Sequence, residues 1–294
     1  MAERNFQIIT DSGCDQTNEY FQEHNVECLK LGFVMGGVEY FGESGQDISP
    51  KEFYKQLKGG EKPTTYQITP EVAKEHMEVY MKKGQDVLVV GFSSGLSGTA
   101  NSYVIAAKEL MEAYPERKIL VVDTLCASMG QGLLLHYVVE KADSGASLEE
   151  TYEYAESLKL KIDHQFTVDD LFHLKRGGRV SSTAAVVGTM LNVKPVLHVS
   201  NEGKLTPTGK VMGRKKALKR LVENMKETAD ITDSDPIFIS HGDCIEDVQV
   251  MVEMLKKDFP NNKIVIEYIG PVIGSHSGCG TVALFFKTKR RSDN

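Results

Sequence analysis

The sequence predicts an α/β protein of two domains, the first built on a parallel sheet with flanking helices and the second a further α/β unit. Three observations carry this. The chain has 294 residues, a length that favours two ordinary domains over one. Short β-rich apolar runs alternate with segments of helical period. The run Val87-Leu88-Val89-Val90 is apolar throughout rather than alternating, which suits a strand covered on both faces.

Taken in order, residues 6–10 read as a first strand ending at Asp11-Ser12-Gly13, and residues 28–34 as a second. Residues 50–57 form a helix with Ser49 as N-cap and Glu52 in its first turn. Residues 70–83 carry Val72, Ala73, Met77, Tyr80 and Met81 at helical spacing. Strands at 86–92 and 118–122 alternate with helices at 100–114, 130–142 and 148–158. Beyond residue 165, where the domain boundary is expected (1–165 and 166–294), residues 193–199 and 205–208 flank Gly203 as a hairpin. Helices at 217–229 and 246–258 then alternate with strands at 236–240, 263–269 and 281–287. The tail from Lys287 is expected to fray.

The net charge of −7 argues against a nucleic-acid binder, which usually presents a basic face. No apolar run reaches the ~18 residues of a membrane span, and residues 1–9 lack the pattern of a signal peptide. The five cysteines, Cys14, Cys28, Cys126, Cys244 and Cys279, are scattered and form no CxxC pair. A reduced, cytoplasmic setting without a metal site is expected.

In parallel α/β sheets ligands sit beyond the carboxyl ends of the strands. Here those ends lead into Asp11-Ser12, Ser93-Ser94-Gly95-Leu96-Ser97-Gly98-Thr99 and Asp123-Thr124, all small and rich in hydroxyls or carboxylates. The serine loop runs from a buried strand to a helix start, where backbone N–H groups and hydroxyls favour an anion. Capping alone also accounts for two of its serines. Neither Ser94 nor Ser97 is followed two places on by the second glycine of a hydrolase elbow, since Leu96 and Thr99 stand there, and the loop lacks the Lys of a phosphate-binding loop. Pro63-Thr64-Thr65 is held extended by Pro63 and two β-branched residues, and also reads as a plain loop. His276 lies in a glycine-rich loop, residues 270–281, where imidazole suits a donor or a base. Cys279 is too close in sequence to be its nucleophilic partner. The runs Lys175-Arg176-Gly177-Gly178-Arg179 and Lys210 to Arg220 stand out in an acidic chain. They read either as solvated faces or as docking sites for a phosphate or an acidic partner.

Together these segments resemble the DegV family of fatty-acid-binding proteins, the B subunit of bacterial fatty acid kinase. The resemblance rests on Ile9-Thr10-Asp11-Ser12, Pro63-Thr64-Thr65-x-Gln67, the serine loop, Val122-Asp123-Thr124, Lys175-Arg176-Gly177-Gly178-Arg179, Val193-Lys194-Pro195 and Gly270-Pro271-Val272-Ile273-Gly274-Ser275-His276. Each motif is weak alone; their order spans nearly the whole chain. It implies a two-domain DegV-like fold that buries an acyl chain of palmitate, stearate or oleate type, with no other cofactor. Thr65, Ser97 (or Ser94) and His276 would hold the carboxylate. A separate ATP-dependent kinase subunit would phosphorylate the acid for phospholipid synthesis, docking at Arg176, Arg179, Arg214 and Lys215. No nucleic acid and at most peripheral membrane contact are implied. The family usually reads Thr-Ser-Gln-Pro where this chain has Thr65-Tyr66-Gln67-Ile68, so Tyr66 is expected to narrow the mouth of the site. The rival reading is an acyl-ester hydrolase using Ser94 or Ser97 with His276 and Asp11 or Asp123.

Overall fold

A computed structural model describes residues 4–40, 47–181 and 192–291. The chain opens with β1 (Phe6–Asp11), α1 (Asn18–Glu23) and β2 (Val26–Leu29), then β3 (Gly32–Met35), β4 (Val38–Tyr40), α2 (Pro50–Lys58) and β5 (Thr64–Tyr66). Next come α3 (Pro70–Lys82), β6 (Asp86–Gly91), α4 (Thr99–Ala113), β7 (Ile119–Asp123), α5 (Met129–Asp143) and α6 (Leu148–Leu158). The second half holds β8 (Ile162–Thr167), α7 (Leu171–Arg176), β9 (Val193–Val199), β10 (Leu205–Met212) and α8 (Arg214–Thr228). It ends with β11 (Ile237–His241), α9 (Ile245–Asp258), β12 (Ile264–Tyr268), α10 (Pro271–Ser277) and β13 (Val282–Lys287).

Three sheets result. Strands β2-β1-β6-β7 form an all-parallel sheet, the one the apolar runs predict. Strands β10-β9-β8-β13-β11-β12 form a mixed sheet in which only β11 and β12 are parallel. Strands β4-β3-β5 form a small antiparallel sheet. The expected single strand at 28–34 is in fact two, because the chain changes sheets at Lys30-Leu31. The Leu31 N–H leaves the ladder and donates to Ser12 Oγ at 3.0 Å. β8 spans the expected domain boundary and pairs within the mixed sheet.

The layers follow from where the apolar faces go. Ile8 and Ile9 of β1 are fully buried on opposite faces: Ile9 packs with Ala73, Met77 and Leu110 of α3 and α4, and Ile8 with Leu133 and Leu134 of α5. The α5 layer also packs against Phe166, Phe238 and Phe285 of the mixed sheet. A helix enclosed between two sheets needs little polar face, and α5 is buried over most of its length, with its charged residues Glu140, Lys141 and Asp143 gathered at its end. Gly130 permits the close approach, since a Cβ there would meet His164 Nε2 at 2.1 Å. The outer face of the mixed sheet is covered by Leu221, Met225, Met251 and Leu255 of α8 and α9. Among the described residues no helix is long and apolar enough to cross a membrane.

Two expectations are corrected. Residues 270–281 are not simply a loop: Pro271 at the first helical position and Gly278 at φ 79 start and stop the short helix α10. The tail is not frayed as far as Arg291, which is 2% exposed. Its guanidinium donates to Ile162 O, Leu125 O at 2.7 Å, Lys159 O at 2.7 Å and Ser200 O at 3.2 Å, so four carbonyls hold it in place. Residues 292–294 lie outside the described residues.

Asp15 joins the layers. It accepts from Gly270 N at 2.9 Å, just ahead of α10, and from Ser128 Oγ, which also pairs with Ser240 Oγ at 2.9 Å. Burial pushes its carboxyl up from the ordinary 3.8 to about 7. Because the folded state then holds the proton more tightly than the unfolded one, this group's contribution to stability is full below pH 3.8 and is lost as pH rises through about 7. Asp15→Asn removes that titration. The variant should gain stability relative to the parent on going from pH 5 to pH 8 in thermal melts. A constant difference between the two would show that Asp15 is not protonated in the fold.

Candidate functional site

A cavity of ≈ 360 Å³ lies between the parallel and mixed sheets, within the size range of small-molecule sites. Its lining includes Leu96 and Ser97, in the turn beyond β6, and Phe166, Ala283 and Phe285 of the mixed sheet. Helix α10 and strand β5 close the side with Val272, Ile273, His276, Thr65 and Tyr66. Most of the lining is apolar; Thr65, Ser97, Arg179 and His276 are among its polar members.

Thr65 and His276 meet directly, with Oγ1 and Nε2 2.7 Å apart. β5 holds Thr65 through its antiparallel pairing with Phe33. α10 holds His276, and Gly177 packs so closely that a Cβ there would lie 2.0 Å from Nδ1. Burial, then the charges of Arg179 and Arg176, push the imidazole down from 6.5 to about 4, so the ring is neutral at pH 7. Its single proton can sit on Nε2 and be donated to Thr65 Oγ1. The Thr65 O–H is then free to donate into the cavity. An anion there would meet a hydroxyl already oriented by a neutral ring.

The serine loop is braced from behind. Asp11 accepts from Phe92 N at 2.8 Å and Gly13 N at 3.0 Å. Ser93 Oγ donates to Gly203 O at 2.8 Å, and Asp123 accepts from Ser94 N at 3.0 Å. This last bond turns Ser94 outward: it is exposed and does not line the cavity. Ser97 does, and it stands one residue before Gly98, the N-cap of α4, which has no side-chain cap. Ser97 Oγ accepts from Thr99 N at 3.2 Å and pairs with Thr99 Oγ1 at 2.9 Å.

The four docking candidates separate. Arg179 lines the cavity and is half-buried, with Nε donating to Leu96 O at 3.2 Å. The sequence showed this residue in a basic run but not its direction. Arg176 is exposed and lies 3.0 Å from His173 Nδ1. Arg214 is engaged within the chain, with Nε 2.8 Å from Asp247 and Nη1 3.7 Å from Asp169. Lys215 is exposed on α8. Of the residues weighed for a hydrolase, Ser97 shares the cavity with His276, whereas Asp11 and Asp123 bond backbone N–H groups of the serine loop and the ring bonds Thr65.

The model for the uncharacterised DegV protein family matches residues 5–289. The chain belongs to the DegV family. A DegV domain-containing protein of Clostridium perfringens is 42% identical over 96% of this chain and 97% of its own. Two solved structures share the fold. DegV of Bacillus subtilis, a fatty acid binding protein, has 30% identity and a TM-score of 0.83 over 98% of this chain and 100% of its own. A DegV family protein of Thermus thermophilus, described for its fatty acid binding, has 29% identity and a TM-score of 0.85 over 97% and 100%.

Thr65→Val keeps the shape of the side chain and removes the oxygen that His276 pairs with. It should lower stability by about 1 kcal/mol, the usual net worth of such a bond, as read from urea unfolding. An unchanged midpoint would show that the two residues are not paired.

Proposed function

We propose that this DegV protein binds one long-chain fatty acid of palmitate, stearate or oleate type and presents its carboxylate to a separate ATP-dependent kinase subunit for acyl-phosphate formation. The observation that carries the binding reading is the Thr65–His276 pair in an otherwise largely apolar cavity. Fatty-acid binding by the Bacillus subtilis and Thermus thermophilus relatives supports it. Burying methylenes gains about 0.8 kcal/mol each. A palmitate chain therefore supplies roughly 10 kcal/mol before the costs of ordering. The carboxylate needs donors to offset its desolvation. In our reading Thr65 and Ser97 provide two O–H donors, His276 orients the first, and Arg179 adds a positive charge nearby. Tyr66 lines the same cavity, so it bears on which acyl chains enter.

For the kinase subunit, we favour the exposed cations of α8, Lys215, Lys216, Lys219 and Arg220, together with Arg176. Local positive charge on a chain of net charge −7 would steer an acidic partner, more strongly at low salt. Arg214 contributes less than its neighbours because its guanidinium is held by Asp247 and Asp169.

Palmitate or oleate added to delipidated protein should raise its melting temperature, because a ligand specific for the native state stabilises it. Ser97→Ala should weaken binding roughly ten-fold, as expected for one charge-assisted hydrogen bond. Absence of any shift with the unaltered protein would refute the binding reading. Charge reversal at Lys215 and Lys216 should slow acyl-phosphate formation in a two-protein assay at low salt while leaving fatty-acid affinity unchanged. Full activity in that variant would exclude α8 as the docking face.

A further inference from the structure

Ser277 ends α10, one residue after His276, and lines the same cavity. It is 6% exposed, and its hydroxyl has no hydrogen-bond partner among the described residues. Beside it, His276 Nδ1 is likewise buried without a partner among the described residues, while the other hydroxyls nearby are bonded. Ser275 Oγ donates to Pro271 O at 2.7 Å. Thr281 Oγ1 donates to Ser277 O at 2.9 Å and lies 3.1 Å from Gly278 O. Ser128 is engaged by Asp15 and Ser240. Buried hydroxyls in folded proteins are normally paired, and this one lines the cavity, where a bound guest can supply the partner.

The place of Ser277 narrows the choice. It adjoins His276 on one side; on the other, its carbonyl is bonded by Thr281, which leads into the Ala283 and Phe285 wall of β13. Resting on the fatty-acid reading above, we propose that Ser277 makes the site selective for an acyl ligand bearing an oxygen a few carbons from its carboxylate, as in a 3-hydroxy fatty acid. A plain methylene passing Ser277 leaves the hydroxyl unpaired. A hydroxyl on the chain can pair with it, as donor or as acceptor. Sites built to pair a ligand hydroxyl discriminate against the analogue that lacks it more sharply than apolar pockets discriminate by size.

The test is a titration of the delipidated full chain with palmitate and with 3-hydroxypalmitate, repeated on Ser277→Ala and Ser277→Thr. The unaltered protein should bind the hydroxy acid about ten-fold more tightly, equivalent to about 1.4 kcal/mol. Ser277→Ala should lose that preference while binding palmitate at least as well as the parent. Ser277→Thr, which keeps the hydroxyl, should retain the preference. Equal affinities in the parent, or a preference that survives in Ser277→Ala, overturn the proposal. Loss of palmitate affinity in Ser277→Ala also overturns it, by assigning the hydroxyl to the carboxylate, and leaves the fatty-acid reading standing. If neither acid binds the parent, both fall.

Discussion

The 2.7 Å bond between Thr65 Oγ1 and His276 Nε2 joins two segments from opposite ends of the chain, and the site depends on it. The bond holds a hydroxyl at the cavity wall without placing a full charge there. Because burial and two arginines keep the imidazole neutral, the ring can donate through Nε2 and leave the threonine O–H pointing to a guest. A protonated imidazole would attract an anion more strongly, but at the cost of desolvating a cation in a largely apolar pocket.

That bond is only as good as the elements that carry it. Asp15 secures the start of α10 through Gly270 N, and its carboxyl is pushed up to about 7 by burial. Asp11, raised to about 6 by burial, gathers the backbone of the serine loop and the turn after β1. Arg291 reaches back from the end of the described chain to Leu125 O and Lys159 O. That contact supports the loop leading to Ala127 and Ser128, both of which line the cavity. The buried side chains of Asp11, Asp15 and Arg291 thus bond backbone groups around the cavity.

Much of this was legible beforehand, for physical reasons that differ by element. The β6 strand announced itself by an unbroken apolar run, and α2 by its cap at Ser49. The convergence of Thr65, Ser97 and His276 on one cavity could be expected from the family resemblance; no local pattern encodes it. The break between β2 and β3 was hidden because both halves are β-rich and the change of sheet is decided by a tertiary bond to Ser12. Arg179 and Arg214 look alike in sequence as members of basic runs. Only the fold shows that one lines the cavity and the other is engaged by Asp247 and Asp169. Ser277 went unremarked beside His276, since a serine is common in glycine-rich segments. The backbone at Ser128, at φ 54 and ψ −148, leaves no sequence signal at all.

The central claim, that the cavity between the two sheets holds one fatty acid by its carboxylate, is tested most directly by native mass spectrometry of the purified chain with solvent extraction of the same sample. The account predicts a mass increment of a single long-chain acid per chain, recovered intact in the extract and restored after delipidation by adding palmitate. A chain that shows no increment as purified and none after palmitate is added would contradict it.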